Sequence, residues 1–347
     1  MKKLLWNYKL NGLRNPSISP GVIVDNKLFV AVCYSKKGFY ESMLLAIQLD
    51  TQAVDTILTL PHLIRNTVLI EDDKLYLTSF DGSLYCIHYD SYQIEWKYET
   101  NPSRNLNPNI ISSEDSIIVT EMHGQARKTY CIDKQTGSER WNFESGHHVA
   151  SNLLIKENKV YHGSSGGAYY CLDINNGEVI WSFGDNLYVH YAEFLLDRYI
   201  LLCSSNGQIY ILTIDKGEVI VNFDSKADIY TKPVVIHDRI YIGHENGVME
   251  CCQFEDITGL QPAVLTTRWT FDAKEKITTT AIIDGDSMLF GSEDSYLYQL
   301  SLSNGVVINQ MKMKNVVRDV LIDQNNLIVL SDKGQVDCFE YAYSSNV

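Results

Sequence analysis

Adjacent His147 and His148 are the residues that most invite a metal, and Asp115, Asp284 and Asp286 are carboxylates of the kind that metal binding or hydrolysis would use. Neighbouring side chains in a strand point to opposite faces, so the two histidines read as an exposed loop pair and not as two ligands of one ion. The three aspartates fall in short hairpins, where aspartate is ordinary turn chemistry. No CxxC, HExxH or glycine-rich phosphate loop between a strand and a helix occurs in the chain. Neither a catalytic residue nor a metal ligand is assigned. What remains is the chemistry of recognition. Arg65, Arg104, His147, His148, Tyr188, His190, Tyr191, Tyr230, Lys232 and Arg318 stand on segments that lead into a series of short strands, and tyrosine and arginine are residue types that anchor protein interfaces.

A repeat positions these segments. Residues 163–185, GSSGGAYYCLDINNGEVIWSFGD, read as strand, turn, strand, turn and a strand closed by tryptophan, and the pattern recurs along the chain. The tryptophan slot is filled by Thr56, Trp96, Trp141, Trp181, Val221, Trp269 and Asn309, at intervals of 40, 45, 40, 40, 48 and 40 residues. Trp6 matches the same slot with no repeat before it, so the 5 tryptophans of the chain occupy one structural position. Four short alternating segments per period of about forty residues are the signature of a propeller blade. Helical periodicity is absent, and Tyr, Val and Ile fill the segments as strand formers. The expected fold is all-β: a single domain over residues 1–347, an eight-bladed β-propeller of four-stranded antiparallel blades. The blades fall near residues 16–60, 61–100, 101–145, 146–185, 186–225, 226–273, 274–314 and 315–347. The last has three strands and takes its fourth from residues 4–10, which closes the ring and removes an open edge.

The cysteines fit the same frame. Cys86, Cys171, Cys251 and Cys338 share one repeat position, Cys131 joins them after a short insertion, and Ala46 holds it in the first unit. A small buried hydrophobe is the role this implies. Aligning the innermost strands places Pro20, Asn66, Asn107, Ser151, Ala192, Lys232, Thr279 and Arg318 around the mouth of the central channel. That ring has two cations and no carboxylate, which argues against a hard metal there.

Lysine plus arginine number 29 against 43 for aspartate plus glutamate, a net charge of −14. Such a chain repels nucleic-acid phosphates and anionic lipid, so neither is an expected partner. No apolar run approaches the ~20 residues of a membrane-spanning helix, and residues 1–12 lack the apolar core of a secretion signal. A cytoplasmic location with 8 free thiols is expected, and the chain is expected to be a monomer. A mildly cationic, aromatic loop face on an acidic chain points to a protein partner, an acidic protein or peptide. Residues 101–108 and 255–262 are loops longer than their counterparts and are further candidates for recognition.

The unit, with its small-residue strand end, Asp/Asn-Gly turn, "LYCID", "xTG" or "NNG" and then "WxF", resembles the repeat of the quinoprotein-type (PQQ-like) β-propellers. The likeness runs from Trp6 to Cys338 and is most specific at residues 124–143 and 163–183. It implies an eight-bladed propeller whose tryptophans dock between adjacent blades. Dehydrogenases of that family carry an adjacent-cysteine disulfide beside their cofactor, which Cys251-Cys252 would match, whereas the repeat position makes Cys251 one core cysteine among several. Many members are non-catalytic scaffolds, and fold alone does not assign function. The expected function is a non-catalytic protein-interaction propeller without a cofactor, with scaffold, assembly or toxin-neutralising (immunity) roles open, as in small cytoplasmic bacterial propellers. The alternative is a PQQ- or small-ligand-binding enzyme.

Overall fold

The computed structural model describes residues 3–10, 12–64, 68–100, 106–121, 127–149, 151–229, 231–256 and 263–341. Every regular element among them is a β-strand, and the strands form up-and-down antiparallel sheets. Leu69–Glu71, Lys74–Thr78, Ser83–His88 and Ile94–Glu99 show the plan, each pairing with the next in sequence. Lys74–Thr78 and Ser83–His88 are buried on both faces, while the outermost strand alternates between exposed and half-buried residues. That contrast follows from sheets stacked face to face with one edge turned to water, the architecture of a β-propeller.

Two sheets depart from the plan. The first, built on Val22–Val24, Lys27–Lys36, Phe39–Gln48 and Val54–Leu60, gains a further strand, Arg14–Ile18. In the second, Val179–Leu195 is one strand of 17 residues that serves as the outer strand of one sheet and the inner strand of the next, giving a seven-stranded sheet. At the end of the chain Gln335–Glu340 pairs with Leu4–Lys9, which places Trp6 opposite Cys338.

Register explains the tryptophan and cysteine pattern. Trp96, Trp141, Trp181 and Trp269 lie opposite Cys86, Cys131, Cys171 and Cys251, as Trp6 lies opposite Cys338. A small side chain across the ladder leaves room for the indole. Each of these four indoles then reaches the next repeat, where Nε1 donates to a turn carbonyl: Trp96 to Lys134 at 3.3 Å, Trp141 to Ile174 at 2.7 Å, Trp181 to Ile214 at 3.2 Å and Trp269 to Leu302 at 3.0 Å. The turn glycine of the motif sits against the ring. A Cβ on Gly177 (φ +74°) would lie 2.6 Å from Trp141, and one on Gly305 (φ +70°) 2.5 Å from Trp269.

The first repeat differs from the sequence alignment. Thr56 is exposed and pairs with Leu45, and the bulge falls between Leu44 and Leu45, so that Leu58 stands opposite Leu44. The bulge comes two residues earlier along the inner strand of the pair than the alignment assumes, and Leu58, not Thr56, takes the inward position.

The buried apolar residues gather into clusters shared by consecutive sheets. Cys251 packs with Met288 and Tyr298 in one cluster, and Cys252 packs with Leu201 and Phe254 in another. The adjacent cysteines thus point into different cores, as strand alternation requires. All eight cysteines are free and buried, and burial pushes the Cys251 thiol up to about 11, away from the thiolate that reactivity needs.

Candidate functional site

The hairpins between second and third strands and the segments leading into innermost strands lie at the same end of the sheets. The fourth repeat shows this directly. There Lys159–Asp173 runs as one continuous strand that turns at Gly166 (φ 81°), and its residues 163–168 pair on one side with His148–Val149 and on the other with Leu187 and Tyr188. The three segments form a raised ribbon that gathers His147, His148 and Tyr188, and the same long strand carries on through His190 and Tyr191.

Bare backbone makes the ribbon possible. A Cβ on Gly167 would lie 2.2 Å from Ser164 Oγ and 3.0 Å from the His147 ring, and one on Gly166 (φ +81°) would meet His147 Nδ1 and Tyr188 Oη at 3.7 Å. The imidazole and the phenol therefore lie over the glycine turn. Tyr188 is 45% exposed, and its carbonyl is pinned from below by Ser204 Oγ at 3.0 Å and Ser205 N at 3.0 Å. His190 is half-buried and desolvation lowers its pKa, so its own ring is neutral at physiological pH. Arg65, Arg104, Tyr230, Asn66 and residues 101–105 and 257–262 of the two long loops lie outside the described residues, as does the side chain of His148.

Polar links join the segments at the innermost strands of several neighbouring sheets. Asn152 donates to Ala192 O (3.0 Å) and accepts from Ala192 N (2.7 Å), Lys232 pairs with Glu193 (2.7 Å), Thr278 Oγ1 donates to Val317 O (2.7 Å), and Gly21 N donates to Asp319 Oδ2 (2.9 Å). The ring expected from the alignment needs correction here. Ser151 Oγ accepts from Gly163 N and Thr279 Oγ1 from Gly291 N, and the residues making the same bond elsewhere are Ser19 to Ala31 N and Thr231 to Gly243 N. These stand one place before Pro20 and Lys232. A bulge between Val317 and Asp319 shifts the last repeat the other way, so that Asp319 turns toward Gly21 while Arg318 is exposed and held by both oxygens of Asp332 at 2.7 and 2.9 Å. Carboxylates, Glu193 and Asp319, do stand at this level. Burial pushes the Asp319 carboxyl up to about 6, against backbone hydrogen bonds from Gly21 and Val320 that favour its ionised form.

Lys232 and Arg318 are thus each matched by a carboxylate, and the face is nearer neutral than its sequence suggests. Asp284 also exceeds its expected turn role: it is buried and accepts from Tyr341 Oη at 2.6 Å, tying the end of the last strand to the preceding sheet. At the opposite end, a 280 Å³ groove lined by Asp72, Lys74, Asp133, Lys134 and Arg140 is charged. Its cations are spent internally, Lys134 on Glu71 and Asp72 and Arg140 on Asp115 and Asp133, so it reads as a pin between two sheets. Sequence reasoning passed over Phe39 and Tyr40, which are 78% and 59% exposed. The signal was the Lys37-Gly38 pair between alternating segments, a two-residue hairpin turn.

A family described as outer membrane protein assembly factor BamB matches residues 99–311 and 190–346. The chain belongs to the PQQ-like β-propeller family. Among solved structures, the PQQ-like propeller resembles BamB from Moraxella catarrhalis with a TM-score of 0.71 at 15% identity, over 97% of this chain and 99% of that one. It resembles Sqt1 from Chaetomium thermophilum with a TM-score of 0.77 at 10% identity, over 99% of this chain and 100% of that one. It resembles the computationally designed Ika8 protein with a TM-score of 0.74 at 13% identity, over 98% and 100% of the two chains. At these identities the likeness is one of fold. No curated protein matches the chain in a sequence search.

Proposed function

We propose that this PQQ-like propeller is a non-catalytic protein-interaction module, an eight-bladed ring closed by its first strand, that binds a protein partner through the end bearing the raised ribbon. The observation that carries the binding reading is the convergence of His147 and exposed Tyr188 over the glycine turn at 166–167. An aromatic pair held over strand-paired backbone loses less entropy on binding than one on a free loop, which is how interface hot spots are built. The ring reading is supported by Trp6 standing opposite Cys338 and by a core cluster that joins Leu28 and Val30 of the first sheet to Ile328 and Cys338 of the last. Because Lys232 and Arg318 are internally matched, aromatic contact supports the partner proposal more strongly than attraction to an acidic surface. The family description favours an assembly role over the scaffold and toxin-neutralising ones, and eight unbridged thiols suit a reducing compartment.

The test is recovery of the partner by crosslinking in the native cell, followed by affinity measurement with purified proteins. Tyr188→Ser and His147→Ala are expected to weaken binding by about tenfold or more, the loss typical of a hot spot. Unchanged affinity in both variants would remove this surface from the interface, and uptake of PQQ with Ca²⁺ as a bound chromophore would restore the enzyme reading.

A further inference from the structure

The first sheet carries a hairpin unlike those of its neighbours. Lys27 to Lys36 pair with Gln48 to Phe39 through ten consecutive positions, whereas Lys74–Thr78 and Arg239–Gly243 pair through five before their hairpins turn. Five extra pairs lift the tip by roughly 15 Å, at about 3.3 Å per residue. Lys37 (φ 50°) and Gly38 (φ 88°) make the turn with left-handed backbone at both positions, the two-residue geometry that matches strand twist. The lifted part is braced. Arg14–Ile18 pairs along Val32–Ser35, and Glu41 accepts from Tyr34 Oη at 2.8 Å and Lys36 Nζ at 2.9 Å.

Phe39 and Tyr40 stand at this tip, on opposite faces of the ribbon because they are consecutive, and among the described residues they are the two most exposed of the large exposed aromatic side chains. Around them are Arg14, Lys36 and Lys37 against Glu41, a local charge of +3 − 1 = +2 on a chain of −14. We propose that this hairpin is the anchor of the interface, an aromatic and cationic finger that enters a cleft on an acidic protein partner. The inference rests on the reading that this end of the propeller binds a protein, and it names the element and the partner's chemistry. A flat surface would cover one face of the ribbon and leave the other ring in water, so two-sided aromatic exposure calls for a cleft. A second copy of the chain fits poorly, since the carboxylates of its own charged groove are already paired with Lys134 and Arg140. An anionic bilayer fits poorly too, because it is an extended plane that would also face the strongly acidic remainder of the chain, whereas a cleft meets only the tip and its local charge of +2.

The experiment places the photo-crosslinking residue p-benzoylphenylalanine at position 39 of the full chain and irradiates it in the native cell. The captured protein is then purified and titrated with wild type, Phe39→Ser, Lys37→Glu and Tyr188→Ser. The expected result is one acidic protein, crosslinked through a cleft, whose affinity falls about tenfold or more with Phe39→Ser and again with Lys37→Glu, and weakens as salt rises. Thermal midpoints of the tip variants should match wild type, since both side chains are exposed. A crosslink to a second copy of the chain, Phe39-dependent binding to phosphatidylglycerol vesicles, or no crosslinked protein would each overturn the proposal. Should Tyr188→Ser alone weaken binding, the hairpin is not the anchor but protein binding at this end stands. Should the captured protein bind all four chains equally, both readings fall.

Discussion

Asp319 holds its proton more tightly in the folded chain than an ordinary aspartate, about 6 against 3.8, because desolvation outweighs two backbone hydrogen bonds. The folded state therefore binds that proton better than the unfolded one. The stability this supplies is fully present below pH 3.8 and is lost as the pH rises through about 6. At pH 8 the ionised carboxylate costs about 1–3 kcal/mol. Asp319→Asn retains an oxygen for Gly21 N and carries no charge, so it should be more stable than wild type at pH 8, with the difference shrinking toward pH 4. Urea midpoints at the two pH values test this, and an equal offset at both would mean that charge is not the cause. Residue types were legible in the sequence at this scale, but their partners were not. The five tryptophan-facing cysteines could be placed because one repeat position recurs. Lys232 and Arg318 read as free cations because nothing in a one-dimensional pattern shows Glu193 or Asp332 beside them, and the bulge before Asp319 moved the alignment by one residue.

The turn glycine and the preceding tryptophan make neighbouring sheets one mechanical element. Gly177 is held at φ +74° with the Trp141 ring where its Cβ would be, so Gly177→Ala combines left-handed strain with a clash and should destabilise by about 2–4 kcal/mol. Gly38 offers the control. Its φ is +88° but nothing lies within 4 Å of its Cβ position, so Gly38→Ala should cost only the conformational part, about 1 kcal/mol. Equal losses in denaturant midpoint would show that backbone conformation, not the indole contact, sets the glycine. The glycine and the tryptophan are both strong periodic signals, which is why the strands and their order could be read before the fold was seen. The first repeat misled because it has no tryptophan to mark the slot, and without that marker the sequence does not show where along the strand the extra residue of the bulge is inserted.

The proposed ring stands or falls at one seam. Leu4–Lys9 covers the outer edge of Gln335–Glu340 and brings Trp6 and Tyr8 against a core that holds Leu28, Val30, Ile328 and Leu330. The seam was legible as two coincident anomalies, a tryptophan segment without a blade and a last blade without a tryptophan segment. Loop-closure entropy grows only slowly with the length of chain enclosed, so pairing the two ends is a modest demand once the intervening sheets have stacked. Removing residues 1–10 should therefore leave most sheets formed while exposing the apolar margin around Val336 and Cys338 and an unpaired strand edge, the combination that drives edge-to-edge association. The truncated chain should elute as dimers and larger species in light-scattering chromatography, and a peptide of residues 3–12 added in excess should return it to the size of the intact protein by refilling the edge. If the shortened chain keeps the size and thermal midpoint of the intact one, the first strand decorates the last sheet without closing a ring.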